Sequence, residues 1–356
     1  MSLSTGSSVE HSNECPPRSK RSTMLTSEIK RRILTALSVL MALALLSGCA
    51  VGTSGTANGG RKQVVLLTVS QTCDYCAKHT DTLKAAMAEA GIDLRVVVNE
   101  FNAADQAQQV TQAISTQPDA IIVWPADSRA IIPSLVRIKQ AEIPVVVTNS
   151  YPQTDDTSLW TAYTGPNDIA NGQAAARAMV AGFEAKGYGD TGNIVALVGP
   201  PGAPPTIDRL KGFEDEIAQL APGIKVVGSQ PGNWDQTLAT SASATLFTQT
   251  RGDDIKGMYS EADNMMAGAL VAAERQGIDP ASLVMVGHNC SIEGYTNITE
   301  GRQYASVLQS PFEDADLAAR ATENILAEQP VENVQYLVPR PIDANNIDDC
   351  KQAVGK

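Results

Sequence analysis

Short apolar runs alternate with longer segments of helical spacing along most of the chain, starting near residue 64. The apolar runs carry no regular polar alternation, which is typical of strands buried on both faces of a parallel sheet. Segments of roughly ten to fifteen residues between such strands indicate right-handed βαβ units. The pattern predicts strands at 64–69, 94–98, 120–123 and 145–147, and helices at 83–90, 103–115 and 130–141.

The same alternation starts again near residue 168. It predicts helices at 168–186, 207–220, 234–249 and 265–276, and strands at 194–198, 225–227, 257–259 and 283–286. We therefore expect an α/β protein with two doubly wound parallel sheets in succession. In such sheets ligands bind beyond the carboxyl ends of the strands, so the polar residues that follow each strand are candidates for a functional site.

The N-terminal region predicts export. Residues 33–46 carry no charge, follow the basic residues 30–32, and end shortly before Cys49. A basic region, a short apolar region and then small residues are typical of a secretory signal, and this apolar run is too short to span a bilayer. Cys49 follows Leu-Ser-Gly, which resembles a bacterial lipobox, where the cysteine is acylated and becomes the mature N-terminus. We expect a lipid anchor at Cys49 that holds the exported chain in the periplasm or on another extracytoplasmic face.

Two N-terminal segments are excluded from the predicted fold. Residues 1–48 are interpreted as leader and signal peptide, with translation starting at Met1 or at Met24, which would begin a leader of ordinary length. Residues 49–61 are rich in small residues and are expected to form a flexible tether. The remaining chain is long enough for two domains with their own cores.

The charge of the chain argues against nucleic acid as a partner. The formal net charge is −12 at pH 7, and the leader holds more basic than acidic residues, so the remainder is more negative still. Such a surface repels phosphate backbones and suits a protein that stays soluble outside the membrane.

Four cysteines follow Cys49 in the sequence: Cys73, Cys76, Cys290 and Cys350. An even number in an exported chain is consistent with two disulfides, and three pairings are possible. Zinc is the competing interpretation, but there is a single Cys-x-x-Cys, and neither His79 nor His288 completes a zinc-binding spacing. We expect no metal and no other cofactor.

Five local motifs occur in one order along the chain. They are Trp124-Pro125-Ala126-Asp127-Ser128, Ile143-Pro144-Val145-Val146-Val147-Thr148-Asn149, Arg209-Leu210-Lys211-Gly212-Phe213, Asp263-Asn264-Met265-Met266-Ala267-Gly268-Ala269-Leu270 and Val286-Gly287-His288-Asn289. Together they resemble the periplasmic sugar-binding proteins of the ribose-binding type, the soluble receptors of ABC importers. The resemblance covers nearly all of residues 63–338.

This resemblance implies two Rossmann-like lobes joined by three hinge strands, with a ligand held between them. The chain would cross near Gly165, Gln309 and Val338. The first lobe would comprise residues 62–164 plus 310–338, and the second lobe residues 165–309 plus 339–356. The implied function is that of a monomeric receptor, not an enzyme, which binds a small sugar or polyol and delivers it to ABC importer permease subunits.

The resemblance also implies a set of ligand-binding residues, most of which follow predicted strands. The set is Asp74, Trp124, Asp127 and Asn149 in the first lobe, Trp234, Asp263 and Asn289 in the second, and Gln309 at a crossover. Carboxylates and amides suit sugar hydroxyls, and aromatic rings suit the less polar ring face. Local alternatives stay open, because Asp127 and Asp263 could simply cap helices and Trp234 could anchor a core. Trp160 and Arg209 are interpreted as structural.

Two departures from the family pattern affect the expected ligand. Many pentose and hexose binders of this type have Asp-Arg after the fourth strand, where this chain has Asn149-Ser150. Another arginine often stands near the position of Thr206-Ile207. Arginine is a rigid fork of donors, so its loss leaves more acceptors than donors and favours a polyol or an unusual sugar. A cationic ligand held by Trp124, Trp234 and nearby carboxylates is an alternative.

Cys73-Asp74-Tyr75-Cys76 permits a different function. It lies between a strand and a helix, where thioredoxin-like thiol-disulfide oxidoreductases place Cys-x-x-Cys. Two repeated βα lobes argue against that small fold, and a bridge between Cys73 and Cys76 that stiffens a ligand-contacting loop and fixes Asp74 is favoured. In the family the tail returns to the second lobe, so the other expected bridge, Cys290–Cys350, would fix the C-terminus there.

Overall fold

The computed structural model describes residues 60–354. The predictions for residues 1–59, which cover the start codon, the signal peptide, the lipid anchor at Cys49 and most of the tether, lie outside the described residues. Between residues 60 and 354 no helix is both long enough and apolar enough to cross a membrane.

The first sheet is built from the first five strands and one late strand. They are β1 (Gln63–Thr68), β2 (Asp93–Val98), β3 (Ala120–Val123), β4 (Val145–Thr148), β5 (Ala162–Gly165) and β11 (Val334–Tyr336). The spatial order is β11-β5-β4-β3-β1-β2, and all neighbours run parallel. The helices of this half are α1 (Asp74–Glu89), α2 (Ala103–Ser115), α3 (Ile132–Gln140) and α9 (Pro311–Leu326).

The second sheet repeats this arrangement. Its strands are β6 (Thr191–Val198), β7 (Gly223–Pro231), β8 (Ile255–Ser260), β9 (Val284–Asn289), β10 (Ala305–Leu308) and β12 (Arg340–Ile342). The spatial order is β12-β10-β9-β8-β6-β7, and all neighbours are parallel except the antiparallel pair β10 and β12. The helices of this half are α4 (Asp168–Ala185), α5 (Pro204–Leu220), α6 (Gln236–Gln249), α7 (Asp263–Arg275), α8 (Ile292–Thr299) and α10 (Cys350–Val354).

Both sheets are buried on both faces. In β1, Val65 and Leu67 pack with residues of α2 and α3, whereas Val64 and Leu66 pack with residues of α1 and α9. Strand β6 divides its side chains between two clusters in the same way. Successive side chains of a strand point to opposite faces, so a strand covered on both sides needs a continuous apolar run. The predicted α/β fold with two parallel sheets is confirmed.

The chain passes between the two sheets three times. It leaves the first sheet after Gly165, returns after Leu308, and crosses again between Tyr336 and Arg340. The crossovers therefore lie at one end of the sheets, where the carboxyl ends of β5 and β10 are found. The exact boundaries of the two lobes stay a prediction.

Several helices begin at other residues than the periodicity predicts; the largest difference is in α1, which begins at Asp74 and not at residue 83. Helix α6 begins at Gln236 and not at Trp234, because Asn233 and Trp234 have left-handed backbone φ values of 55° and 58° and Asp235 caps the helix. Helix α5 begins three residues earlier than predicted, at Pro204, because proline suits the first helical position.

Candidate functional site

Arg209 is the central polar side chain of the second half. It lies in α5 and is buried, with 6% of its surface exposed. Its Nε donates to Asp168 Oδ1 at 2.8 Å, and its Nη2 donates to Gln309 Oε1 at 2.8 Å. The remaining nitrogen, Nη1, donates to the backbone oxygen of Glu261 at 3.0 Å. One guanidinium therefore ties together the start of α4, the segment after β8 and the crossover after β10.

The sequence analysis interpreted Arg209 as structural, and its contacts with Asp168 and Gln309 agree with that interpretation. A ligand-binding arginine was expected near Thr206 instead. The two residues are three positions apart in α5, so they lie on the same side of the helix. Both are buried. Arg209 therefore lies less than one helical turn from the position of the absent arginine and supplies a guanidinium to the same segment.

Trp234 covers the Arg209 guanidinium. The ring centroid of Trp234 lies 5.8 Å from Arg209 Cζ, within the range of a cation-π interaction. The ring also lies against the backbone of Gly199, where a Cβ atom would overlap it. The half-buried indole is therefore held next to a charged group at the carboxyl ends of β6 and β7, which is compatible with the predicted ligand contact.

Glu261 is a buried carboxyl next to Arg209 that the sequence analysis did not single out. It follows β8 directly, is fully buried, and its Oε2 accepts a hydrogen bond from the Gly199 amide at 2.7 Å. Burial raises the pKa of Glu261 to about 8, although the Gly199 amide and the charge of Arg209 both favour the ionised form. Its position after a strand was the available signal, but the neighbouring Asp263 was chosen instead.

In the first half, Asn149 and Trp124 follow β4 and β3, as predicted. Asn149 has a left-handed φ of 63° and donates from Nδ2 to Asp314 Oδ2 at 2.8 Å. Trp124 is buried and donates from Nε1 to Ser150 Oγ at 3.1 Å. Asp314, which sequence reasoning also missed, comes from α9, beyond the second crossover.

The disulfide loop presents Tyr75 to this group and not Asp74, which corrects the sequence prediction. Asp74 is the first residue of α1, is exposed, and forms an ion pair with Lys78 at 2.7 Å. Tyr75 instead donates to Asp314 Oδ2 at 3.0 Å and packs edge-on against Trp124. The first residue of the helix points outward, and the following residue points inward.

Two more predicted aspartates have structural roles. Asp127 is exposed and accepts hydrogen bonds from the amides of Arg129 and Ala130, so it is a local turn cap. Asp263 is fully buried within the second half. Its carboxyl accepts from Gln303 and Ser306 side chains and from the Ser291 amide. We therefore remove Asp74, Asp127 and Asp263 from the proposed ligand contacts.

The remaining predicted residues lie at strand ends or the crossover. Asn289 ends β9 with a left-handed φ of 88°. Gln309 is buried directly after β10, and its Oε1 accepts from Asn171 Nδ2 at 3.4 Å in addition to Arg209. Trp160 is structural as predicted, since it is buried and its Nε1 donates to the Asn333 backbone oxygen at 3.2 Å.

Groups from the two halves are close enough to influence one another. Burial and the neighbouring charge of Asp314 raise the pKa of Tyr75, while the charge of Arg209 acts in the opposite direction. Burial also raises the pKa of Asp314 to about 7, and the charge of Asp168 adds to the increase. Side chains of both sheets thus converge beside the crossover segments.

The structure contains both expected disulfides, Cys73–Cys76 and Cys290–Cys350. The second bridge joins the segment after β9 to α10 at the C-terminal tail. Across the described residues 60–354, no group of three or more His, Cys, Asp or Glu side chains is arranged to hold a metal ion.

The buried carboxyls predict a loss of stability as pH rises. Burial raises the pKa of Asp263 to about 7 and that of Glu261 to about 8, above the values of about 4 in an unfolded chain. The native state therefore holds more protons than the unfolded state between about pH 4 and pH 8. The stability contributed by these carboxyls falls across that range and is lost as pH rises through about 7 to 8. We expect the free energy of unfolding, measured with urea, to fall from pH 7 to pH 9.

Histidine does not reverse this trend in the chosen range. Burial lowers the pKa of His79 to about 3 and also lowers that of His288, which favours stability as pH rises. Both histidines are largely neutral in either state above about pH 7, so they act at lower pH. Asp263→Asn should show a shallower decline than the wild type between pH 6 and 8. Stability that stays constant or rises from pH 7 to 9 would contradict the prediction.

Comparison with known proteins assigns the family. Residues 64–330, about three quarters of the chain, match the family described as the periplasmic binding protein domain. The chain belongs to this family.

Two relatives and one solved structure illustrate the match. The galactofuranose-binding protein of Escherichia coli K12 is 27% identical over 274 residues, which cover 76% of this chain and 84% of that protein. The D-apiose import binding protein of Paraburkholderia graminis is 30% identical over 273 residues, which cover 76% and 81%. The Caulobacter myo-inositol binding protein, solved with myo-inositol, has a TM-score of 0.74 at 22% identity, covering 82% of this chain and 96% of that one. These comparisons do not support the redox or cationic-ligand alternatives.

Proposed function

We propose that this protein is the solute-binding receptor of an ABC-type importer. It binds one small sugar or polyol between the carboxyl ends of its two sheets and delivers it to a membrane permease. The observation that carries the proposal is the convergence of amide, carboxyl, hydroxyl and guanidinium groups from both sheets, with two indole rings, beside the crossovers. The family match supports it, and so do the relatives, which are named for galactofuranose and D-apiose.

The chemistry of the proposed contacts suits a polyhydroxylated solute. Amide and carboxyl oxygens accept protons from ligand hydroxyls, while Arg209 and Asn149 supply N–H donors. The Trp234 ring can cover a C–H face, as aromatic rings do in binding sites with one apolar side. The proposed contact set is Trp124, Asn149 and Tyr75 from the first half, Trp234, Arg209, Glu261 and Asn289 from the second half, and Gln309 at the crossover.

We further propose that ligand binding closes the two halves by bending at the three crossovers. A ligand shifts such an equilibrium only if it binds the closed state more tightly than the open state. Contacts from both halves to one ligand would provide this difference. The closed form would then present both halves to the permease, with no catalytic step.

The cellular setting belongs to the same proposal. Receptors of this family act outside the cytoplasm, and a lipid on Cys49 would hold this chain at the membrane surface. The 49–61 tether would let the folded body, as a monomer, reach the permease. Metabolic labelling with a palmitate analogue tests the anchor, because Cys49→Ser should abolish the incorporated label.

A thermal-shift screen tests the proposed ligand class. The panel includes aldopentoses, hexoses, D-apiose, myo-inositol and linear polyols, with quaternary amines as the cationic comparison. A true ligand should raise the unfolding midpoint progressively with concentration, because binding to the folded state adds RT ln(1 + [L]/Kd) to its stability. Stabilisation by the amines alone, or by none of the compounds, would contradict the proposed function.

Trp234→Ala should weaken binding of the best compound from this screen by about tenfold or more, which corresponds to about 1.4 kcal/mol. The indole is half-buried beside Arg209, so its removal exposes the guanidinium and takes away a face for the ligand. Isothermal titration calorimetry measures the affinity. Trp160→Phe is the matched control, because Trp160 packs under β5 away from the proposed contacts and should leave affinity unchanged. Equal affinity of Trp234→Ala and wild type would remove Trp234 from the site.

A further inference from the structure

Asp314 is a buried carboxyl at the junction of the two halves, and the sequence analysis did not single it out. It lies in the first turn of α9, shortly after the crossover residue Gln309, and its side chain is fully buried. Its Oδ2 accepts from Asn149 Nδ2 at 2.8 Å and from the Tyr75 hydroxyl at 3.0 Å. One carboxyl therefore joins the segment after β4, the disulfide loop after β1, and the helix that follows the second crossover.

The start of α9 does not need this carboxyl. Ser310 caps the helix by accepting from the Glu313 amide at 3.3 Å, and Pro311 occupies the first helical position. Glu313 already places an acidic side chain in the first turn, where it pairs with Arg340 at 2.8 Å. Burying a further carboxyl costs desolvation free energy, so the groups that Asp314 binds must account for its position.

Asp314 determines the orientation of the Asn149 amide. Above its pKa of about 7 Asp314 is mainly ionised and only accepts hydrogen bonds, so it then selects the Nδ2 side of that amide. The Oδ1 atom of Asn149 is left on the other side, where Ser150 Oγ lies 3.5 Å away. The left-handed backbone of Asn149 fixes where the side chain starts, and Asp314 fixes how its amide is turned.

The same carboxyl determines the direction of the Tyr75 hydroxyl. The proton of that hydroxyl is directed to Asp314 Oδ2 at 3.0 Å, with the Ser310 backbone oxygen at 3.4 Å as a second acceptor. The Gln309 side chain also bonds the hydroxyl, so one lone pair of the oxygen is left as an acceptor. The Tyr75 ring packs against Trp124 with ring centroids 6.1 Å apart. The contacts thus form a closed ring, which runs through Trp124, Ser150, Asn149, Asp314 and Tyr75.

We propose that Asp314 is a positioning residue that makes the first half of the site an acceptor of protons from ligand hydroxyls. This inference rests on the function proposed above. With Asp314 in place, Asn149 offers its carbonyl oxygen and Tyr75 offers its hydroxyl oxygen. A ligand with a free hydroxyl at this position can donate to them, whereas the same ligand with that hydroxyl methylated cannot. Asp314 therefore selects for unsubstituted polyols and sugars without touching them.

Isothermal titration calorimetry with myo-inositol, D-apiose and D-galactose, each compared with its mono-O-methyl ethers, tests the inference. Wild type should bind a parent compound and discriminate against at least one of its ethers by about tenfold or more, as sites with a paired hydroxyl contact do. Asp314→Asn should bind the parent about tenfold more weakly and lose most of that discrimination. The new amide can donate, so the Asn149 amide is free to turn its N–H groups toward the ligand.

Two further variants separate positioning from stability. Tyr75→Phe removes one of the donors to Asp314 and should lower discrimination in the same direction, even if Asp314→Asn does not fold. Glu313→Gln changes the neighbouring carboxyl of the same helical turn and should leave affinity and discrimination unchanged. Urea unfolding of the ligand-free variants shows whether an affinity change merely follows a loss of folded protein.

The outcomes distinguish this inference from the proposed function. If wild type binds none of the parents, the proposed function fails and the inference fails with it. If wild type binds, but both Asp314→Asn and Tyr75→Phe retain its discrimination between parent and ether, only the inference is overturned. A fall in stability with unchanged discrimination would likewise assign Asp314 a purely structural role.

Discussion

Replacing Arg209 with methionine is expected to lower the free energy of unfolding by about 3–5 kcal/mol, since it removes one partner of a buried ion pair. Arg209 and Asp168 have side-chain exposures of only 7% and 10%. Methionine fills a similar volume but donates no hydrogen bond, so Asp168 keeps a charge without its partner. The backbone oxygen of Glu261 loses a donor as well, and Gln309 loses the shorter of the two hydrogen bonds that its Oε1 accepts. Urea denaturation with fluorescence detection measures the change.

The same variant should bind no ligand even when it is folded. Arg209 holds Gln309 at the crossover and supports Trp234, so both proposed contacts lose their position. Isothermal titration calorimetry without urea, at a pH where the variant is fully folded, separates this effect from unfolding. Retained affinity in a destabilised but folded variant would restrict Arg209 to the structural role that the sequence suggested.

Arg177→Met provides a matched control for Arg209→Met. Arg177 in α4 pairs with Glu216 in α5 at 2.7 Å, so this ion pair joins the same two helices. Arg177 is about half exposed, and solvent-exposed pairs contribute about 0–1 kcal/mol. The control should therefore lose about 1 kcal/mol or less and keep its affinity. Equal losses in the two variants would show that burial of the Arg209 pair has no special importance.

The sequence predicts the fold well because most strands of each sheet can be recognised from a few consecutive residues. A strand buried on both faces must be a continuous apolar run, and β1, β3 and β4 each are. Four short strands, β5, β10, β11 and β12, carry no such signal. Each of them includes a polar residue, glycine or proline, and they are defined by pairing with neighbours.

The candidate site was predicted less well, because it depends on which side chain of a turn points inward. Asp74 and Tyr75 are adjacent, yet Asp74 faces solvent and Tyr75 faces Asp314. Glu261 and Asp263 are two residues apart, and the periodicity of the chain does not say which carboxyl lies next to Arg209. These choices are decided by contacts between segments far apart in sequence, such as Asp314 with Asn149.

Removing the Cys290–Cys350 bridge by the double substitution to serine should lower the free energy of unfolding by about 4 kcal/mol. The bridge spans a sequence separation of 60 residues, and closing a loop of that length removes much conformational entropy from the unfolded chain. Both cysteines are fully buried in a cluster with Leu308, Ile342 and Ala353. Urea denaturation measures the loss. Hydrogen exchange should also show reduced protection in α10, a five-residue helix that is too short to be stable alone.

Removing the Cys73–Cys76 bridge should have the opposite effects: a smaller loss of stability and a larger loss of ligand affinity. Its sequence separation is three residues, so the same entropy relation gives about 2 kcal/mol or less. Serine at both positions should nevertheless weaken ligand binding more than the loss of Cys290–Cys350 does, because Tyr75 lies inside this loop and contacts Asp314 and Trp124. One bridge would then mainly hold the tail to the second half, and the other would mainly hold the site in shape. If the short loop proves the more important for stability, or the tail bridge the more important for affinity, this division of roles is wrong.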